Sequence, residues 1–186
     1  MIVPKKILFW FREVVSVRGN NCLLQCLDDT TTQLIPVFCF DPREIVIAEA
    51  FNQKEIFVNQ LVNKVLQARK NLQELGSNLL VVCDHYEKVI PSLARVLAVD
   101  QVATEATGIE DASLTGHLSQ FRNLKVFEIN RLLNMHSIPL IVPGQFNTLH
   151  FSQVSFPLFP QINPGQIPTA NQLLEYHSSK IRSVAC

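Results

Sequence analysis

Trp10, Phe11 and Arg12 close an apolar run near the N-terminus, and Phe40, Asp41, Pro42 and Arg43 close a second one. Rings supply stacking area and a guanidinium supplies planar donors for phosphate or carboxylate, a chemistry that suits a flavin or a pterin. The same residues have a plainer use, because rings at strand ends are commonly core and Asp-Pro is commonly a turn. Spacing alone leaves both readings open. Other chemistry is hard to find. No G-x-G-x-x-G follows Phe11, the six glycines do not cluster behind a strand, and no Walker loop or G-x-S-x-G elbow is present. His85, His117, His136, His150 and His177 are scattered, with no pair at i, i+4. No catalytic set and no metal site is therefore predicted.

Composition narrows the class further. Sixteen Lys and Arg balance sixteen Asp and Glu, so strong nucleic-acid binding through phosphate neutralisation is not expected. The apolar stretch after Lys5 and Lys6 is too short for a signal core or a membrane span. The five cysteines, Cys22, Cys26, Cys39, Cys83 and Cys186, are odd in number and contain no C-x-x-C pair. Cys22 and Cys26 would share a helix face, but no further ligands stand at zinc spacing. Core or surface thiols in a reducing, cytoplasmic setting are expected, in a single domain over residues 1–186.

The elements that must position these residues alternate along the chain. Apolar runs of strand length stand at Ile7 to Phe11, Leu34 to Phe40, Asn78 to Cys83, Gln101 to Glu105 and Leu140 to Val142. Helix-period segments stand between them. In Lys54 to Leu75 the apolar residues Val58, Leu61, Val62, Val65, Leu72 and Leu75 recur at three and four, with Gly76 as a C-cap. Tyr86 to Leu97 and Leu118 to Asn134 repeat that pattern. The predicted fold class is α/β, a Rossmann-like, doubly wound five-stranded parallel sheet with helices on both faces. Its ligand crevice belongs beyond the carboxyl ends of the strands, where the aromatic and charged clusters fall. From Ser137 onward the chain has three charged residues and six of its ten prolines, so residues 137–186 are read as an extended segment followed by a closing helix near Ala170 to Arg182.

Several stretches resemble the N-terminal domain of the photolyase/cryptochrome family, the cryptochrome-DASH branch most nearly. They are Ile7 to Arg12, Val37 to Arg43, and Asn71 to Val81. Glu87 to Pro91 is similar to that branch's E-E-V-I-P helix start, Val99 to Val102 to its V-D-x-V strand, and Asn147 to His150 to its S-T-L-Y. The resemblance implies a Rossmann-like domain that, in many members, carries an antenna chromophore such as a folate, a deazaflavin or a flavin. It also implies that the FAD pocket, the tryptophan electron chain and the lesion-binding groove lie in a large helical domain, and that this chain ends where the connection to it would begin. No FAD and no self-sufficient DNA photolyase activity are then expected. Departures are equally visible. Against the family's W-F-R-x-D-L-R-x-x-D-N, the sequence retains Arg12 and Asn20 but has Val14, Ser16 and Gly19 at its charged positions, and Phe57 stands where a later arginine would be.

Two function classes follow. In the first, a non-catalytic photolyase-like module binds an antenna chromophore (folate, deazaflavin or FMN) or a nucleotide through Phe11, Arg12, Phe40, Asp41 and Arg43, with Glu105 at the end of the fourth strand as a polar contact. In the second, the chain is an interaction module that forms a homodimer or docks a separately encoded partner chain. Its contact surface would be the apolar cluster Phe151, Phe156, Leu158 and Phe159, unless these rings pack against the chain's own sheet.

Overall fold

The computed structural model describes residues 5–12, 14–27, 32–50, 53–105, 128–142 and 164–182. Five strands form one parallel sheet: β1 (Lys5–Phe11), β2 (Thr32–Phe40), β3 (Leu80–Cys83), β4 (Gln101–Thr104) and β5 (Leu140–Ile141). Their order is β3-β2-β1-β4-β5. The chain steps outward from β1 to β3 and then returns across β1 to lay down β4 and β5. The sheet therefore reverses its winding between β1 and β4, the topological switch point at which ligands of such sheets bind. This is the predicted architecture. The second strand begins two residues earlier than the apolar run, because Lys5 and Lys6 of β1 pair with Thr32 and Gln33.

The described residues also form helices α1 (Asn21–Cys26), α2 (Pro42–Ala50), α3 (Lys54–Glu74), α4 (Tyr86–Val96), α5 (128–135) and α6 (Ala170–Arg182). Strand alternation sorts the core into two layers. Ile7, Phe9 and Phe11 of β1 join Phe38 and Phe40 of β2 under α3 and α6, with Val58, Val62, Val65 and Leu72 of α3 fully or nearly fully buried and Leu173 of α6 beside them. Leu8, Trp10, Val37 and Val102 face the opposite way and are covered by Tyr86, Ile90 and Ala94 of α4 and by Ile129 and Leu133 of α5. Each large side chain so buried contributes about 2 kcal/mol relative to an exposed one.

Helix α3 stops where the sequence places its stop. Gly76 adopts φ +76°, its N–H reaches the Gln73 carbonyl at 3.0 Å, and the Ser77 N–H reaches the Leu72 carbonyl at 2.8 Å, the paired bonds of a Schellman end. Helix α2 lies outside the predicted set, because Asp41-Pro42, which the sequence suggests as a turn, opens a helix instead. Residues 164–169 lead into α6 without helix or strand and pass along the outer edge of β3. The Val81 N–H donates to the Pro164 carbonyl at 2.8 Å, and one Arg69 nitrogen donates to the carbonyls of Leu79, Pro164 and Gly165 at 2.8–2.9 Å. Gly165 is required there: its φ is +73°, and a Cβ would lie 2.3 Å from the Val81 carbonyl oxygen. The phenylalanine cluster 151–159, Asn147 to His150 and the first part of the predicted helix from Leu118 lie outside the described residues. No helix among the described residues is long and apolar enough to cross a membrane.

Candidate functional site

The carboxyl ends of β1 to β4 carry two polar clusters linked by Trp10. The first lies at the switch point. Glu105 directly follows β4, is 5% exposed, and accepts the backbone N–H of Val14 at 3.0 Å, that of Arg12 at 3.4 Å and the side-chain amide of Asn20 at 2.7 Å. Asn20 is fixed in turn, because its Oδ1 caps α1 by accepting the Leu23 N–H at 3.0 Å while its Nδ2 also reaches the Ser16 carbonyl at 3.2 Å. The Thr104 hydroxyl donates to the Trp10 carbonyl at 3.0 Å. One carboxylate thus ties the loop after β1 to the end of β4.

The second cluster joins β2 to α4. Asp41 is the N-cap of α2, accepting the Arg43 N–H at 2.9 Å, and Pro42 takes the first helical position, where its missing N–H costs nothing. The Arg43 guanidinium lies between two acids: Nε and one terminal nitrogen donate to Asp41, and both terminal nitrogens donate to Glu87 in the first turn of α4. The Asp41 side chain is 1% exposed and that of Arg43 24%. Burial pushes the Asp41 and Glu87 carboxyls up, but the hydrogen bonds and charge of Arg43 outweigh it and hold both below their ordinary range. The Arg43 guanidinium, although half-buried, is stabilised in its charged form by the same two acids.

Between the clusters runs a ladder of alternating cations and rings. Arg12 lies over the Trp10 ring at 5.0 Å, Trp10 meets Tyr86 at 5.0 Å with a 46° tilt, and Arg43 lies over Tyr86 at 4.9 Å. Contacts of this kind are worth about 0.5–1.5 kcal/mol each.

The structure therefore gathers Arg12, Asp41, Arg43 and Glu105 at one end of the sheet. Phe11 and Phe40 stand at the same end, but their rings turn into the core under α3, packed edge-on against Phe9 and Phe38. The predicted convergence of aromatic rings in the crevice thus reduces to Trp10 and Tyr86. Sequence reasoning missed Tyr86, Glu87 and Asn20 as members of the site, although the polar Asn20 had been noted and Glu87 opens a predicted helix. Among the described residues no group of three or more His, Cys, Asp or Glu side chains is placed to hold a metal. Burial pushes the Cys26 thiol up to about 12.

Comparison with known proteins bears on this geometry. The blue-light photoreceptor PHR2 of Arabidopsis thaliana is 38% identical over 95 residues, half of this chain and 21% of that protein. Cryptochrome DASH of Gloeobacter violaceus is 33% identical over 100 residues, covering 53% of this chain and 20% of that protein. The chain spans about a fifth of the length of these curated relatives. Among solved structures, an archaeal photolyase from Sulfolobus tokodaii, described with two FAD molecules and as implying a novel light-harvesting cofactor, superposes with a TM-score of 0.64 at 19% identity, covering 92% of this chain and 41% of that one. A Synechocystis cryptochrome gives 0.58 at 21% identity, covering 75% and 27%. The fold is that of the photolyase N-terminal α/β domain. Residues 7–113, from β1 past the end of β4 and so including both polar clusters, match the DNA photolyase family, and the chain belongs to that family.

Proposed function

We propose that this chain is a non-catalytic photolyase-type α/β domain that holds a flat, antenna-type chromophore at the carboxyl ends of its strands. The observation that carries the reading is the switch point between β1 and β4 with the Arg12–Trp10–Tyr86–Arg43 ladder beside it: a conjugated ring can extend such a ladder by stacking, and Arg12 is its outer cation. In this reading Arg12 contacts the ligand, while Phe11, Phe40, Asp41, Arg43 and Glu105 fix the frame around it. The light-harvesting cofactor implied for the Sulfolobus photolyase supports the class of ligand. Folates, deazaflavins and FMN are the candidates. Cytoplasmic residence belongs to the same reading, since Cys22, Cys26, Cys39 and Cys83 are thiols rather than disulfide halves. The test is titration of the purified chain with each candidate, followed by absorbance and fluorescence. Binding that Arg12→Ala weakens by about tenfold, the loss of one charge-assisted or stacking contact, is the expected result; no binding of any candidate overturns it.

A second reading is docking of another copy or of a separately encoded chain, for which Val96 and Met135, 78% and 70% exposed near the ends of α4 and α5, are the apolar side chains to probe. Light scattering over a dilution series tests it: a concentration-dependent mass lowered by Val96→Asp or Met135→Asp supports the contact, and one chain's mass throughout removes it.

A further inference from the structure

In sheets that reverse between their first and fourth strands, the backbone N–H groups of the turn after the first strand are where a nucleotide places its phosphate. Here the N–H groups of Arg12 and Val14 point at the Glu105 carboxylate, with the Asn20 amide as a third donor. The seat is already filled by an anion, one covalently attached to the end of the neighbouring strand and 5% exposed. A phosphate brought to this turn would have to evict that carboxylate or sit against its charge. The turn's one glycine, Gly19, stands at its far end beside the α1 cap rather than next to the Arg12 and Val14 N–H groups, so the glycine-rich pattern that lets a backbone approach a pyrophosphate is not present there.

We propose that Glu105 is a specificity-determining residue: by occupying the anion seat of the β1 turn it restricts the strand-end site to ligands recognised through their ring system, and a phosphate adds nothing to their binding. This rests on the ligand-binding reading above and deepens it: the ring system alone sets the affinity, so riboflavin and FMN bind alike.

The experiment uses the full chain, labelled with nitrogen-15, in two arms. In the first, inorganic pyrophosphate is titrated while the amide signals of Arg12, Val14 and the Asn20 side chain are followed. These signals stay fixed in the wild type and move in Glu105→Gln, with Glu105→Ser as a second variant should the first not give a dispersed spectrum. Movement in the wild type, or none in either folded variant, overturns the proposal. In the second arm, riboflavin and FMN are compared by flavin fluorescence; a phosphate seated on two or three such donors would favour FMN by about tenfold or more, and a preference of that size in the wild type also overturns it. Failure of both flavins to bind removes the flavin arm of the ligand reading, while the amide signals still decide what Glu105 does.

Discussion

The two halves of the sheet's carboxyl edge are held by opposite chemistry. At β1 and β4 a buried carboxylate is satisfied by backbone and amide N–H groups. At β2 and α4 a buried carboxylate is satisfied mainly by a guanidinium that a second acid shares. The first arrangement depends on geometry: three donors from one loop and its helix cap converge on one carboxylate, and its loss takes an acceptor from all three at once. The second depends on charge and remains partly open to water, with Arg43 and Glu87 about a fifth to a quarter exposed, so solvent and salt can replace part of what is lost. The difference teaches that similar carboxylates at equivalent strand ends should respond differently to truncation, salt and pH.

Glu105→Ala is expected to have the largest effect, a loss of about 3 kcal/mol, because the part-buried N–H groups of Arg12 and Val14 lose this acceptor and the Asn20 amide loses one of its three. Urea denaturation measures it, and the loss should be the same at low and high salt. A loss under about 1 kcal/mol would mean that water replaces the carboxylate, and would break the contrast. Arg43→Met comes next, at about 2 kcal/mol: it removes the counter-charge of Asp41, but Asp41 keeps the N–H groups of residues 43 and 86. Salt at 1 M should narrow the gap between wild type and this variant, because it weakens the wild-type pair.

The pH dependence sharpens the same contrast. Asp41 and Glu87 have folded values below their ordinary 3.8 and 4.5. In that window the unfolded chain binds more protons than the folded one, so stability rises with pH. The contribution is fully present above about pH 5 and is lost as pH falls through the folded values. Arg43→Met should therefore flatten the acid limb of the stability curve between pH 5 and 3, since its carboxyls lose the group that depressed them. Parallel acid limbs in wild type and variant would show that other carboxylates govern acid unfolding.

How much of this was legible in the sequence depends on which interaction places each residue. The five strands were readable because a parallel sheet buried on both faces leaves uninterrupted apolar runs such as Ile7 to Phe11 and Val37 to Phe40. The start of β1 at Lys5 was not, because at the strand's amino end backbone pairing continues after burial has stopped. Helix α2 was hidden by reading Asp41-Pro42 as a turn, although an Asp cap, Pro at the first position and Glu44 at the third form a helix start. In the site, charge at the strand ends was legible. The direction of the rings was not: alternation sends Phe11 and Phe40 into one layer and Trp10 into the other, and only the pairing of β2 with β3 brings Glu87 and Tyr86 beside Arg43. Glu105 reads in the sequence as a contact for a ligand, whereas in the fold it accepts from Val14, Arg12 and Asn20, which are separated from it by 85 or more positions and share no local pattern with it.

The smallest expected effect lies where the two halves meet. Trp10 is the chain's single tryptophan, 2% exposed, and it touches Arg12 from the first cluster and Tyr86 beside the second. Its emission therefore reports on both. Arg12→Ala removes one cation from the ring face and admits water at its edge, at a cost of about 0.5–1 kcal/mol for a partly exposed contact. The emission maximum should move to longer wavelength while the backbone bond from residue 12 to Glu105 persists, because alanine retains the N–H. Tyr86→Leu removes the other neighbour, and the double variant gives the coupling. Additive shifts in emission and stability would mean that the clusters are independent and that the ladder merely places them side by side. A coupling beyond about 0.5 kcal/mol would mean that Trp10 transmits the position of one cluster to the other, since directly contacting residues are those that depart from additivity.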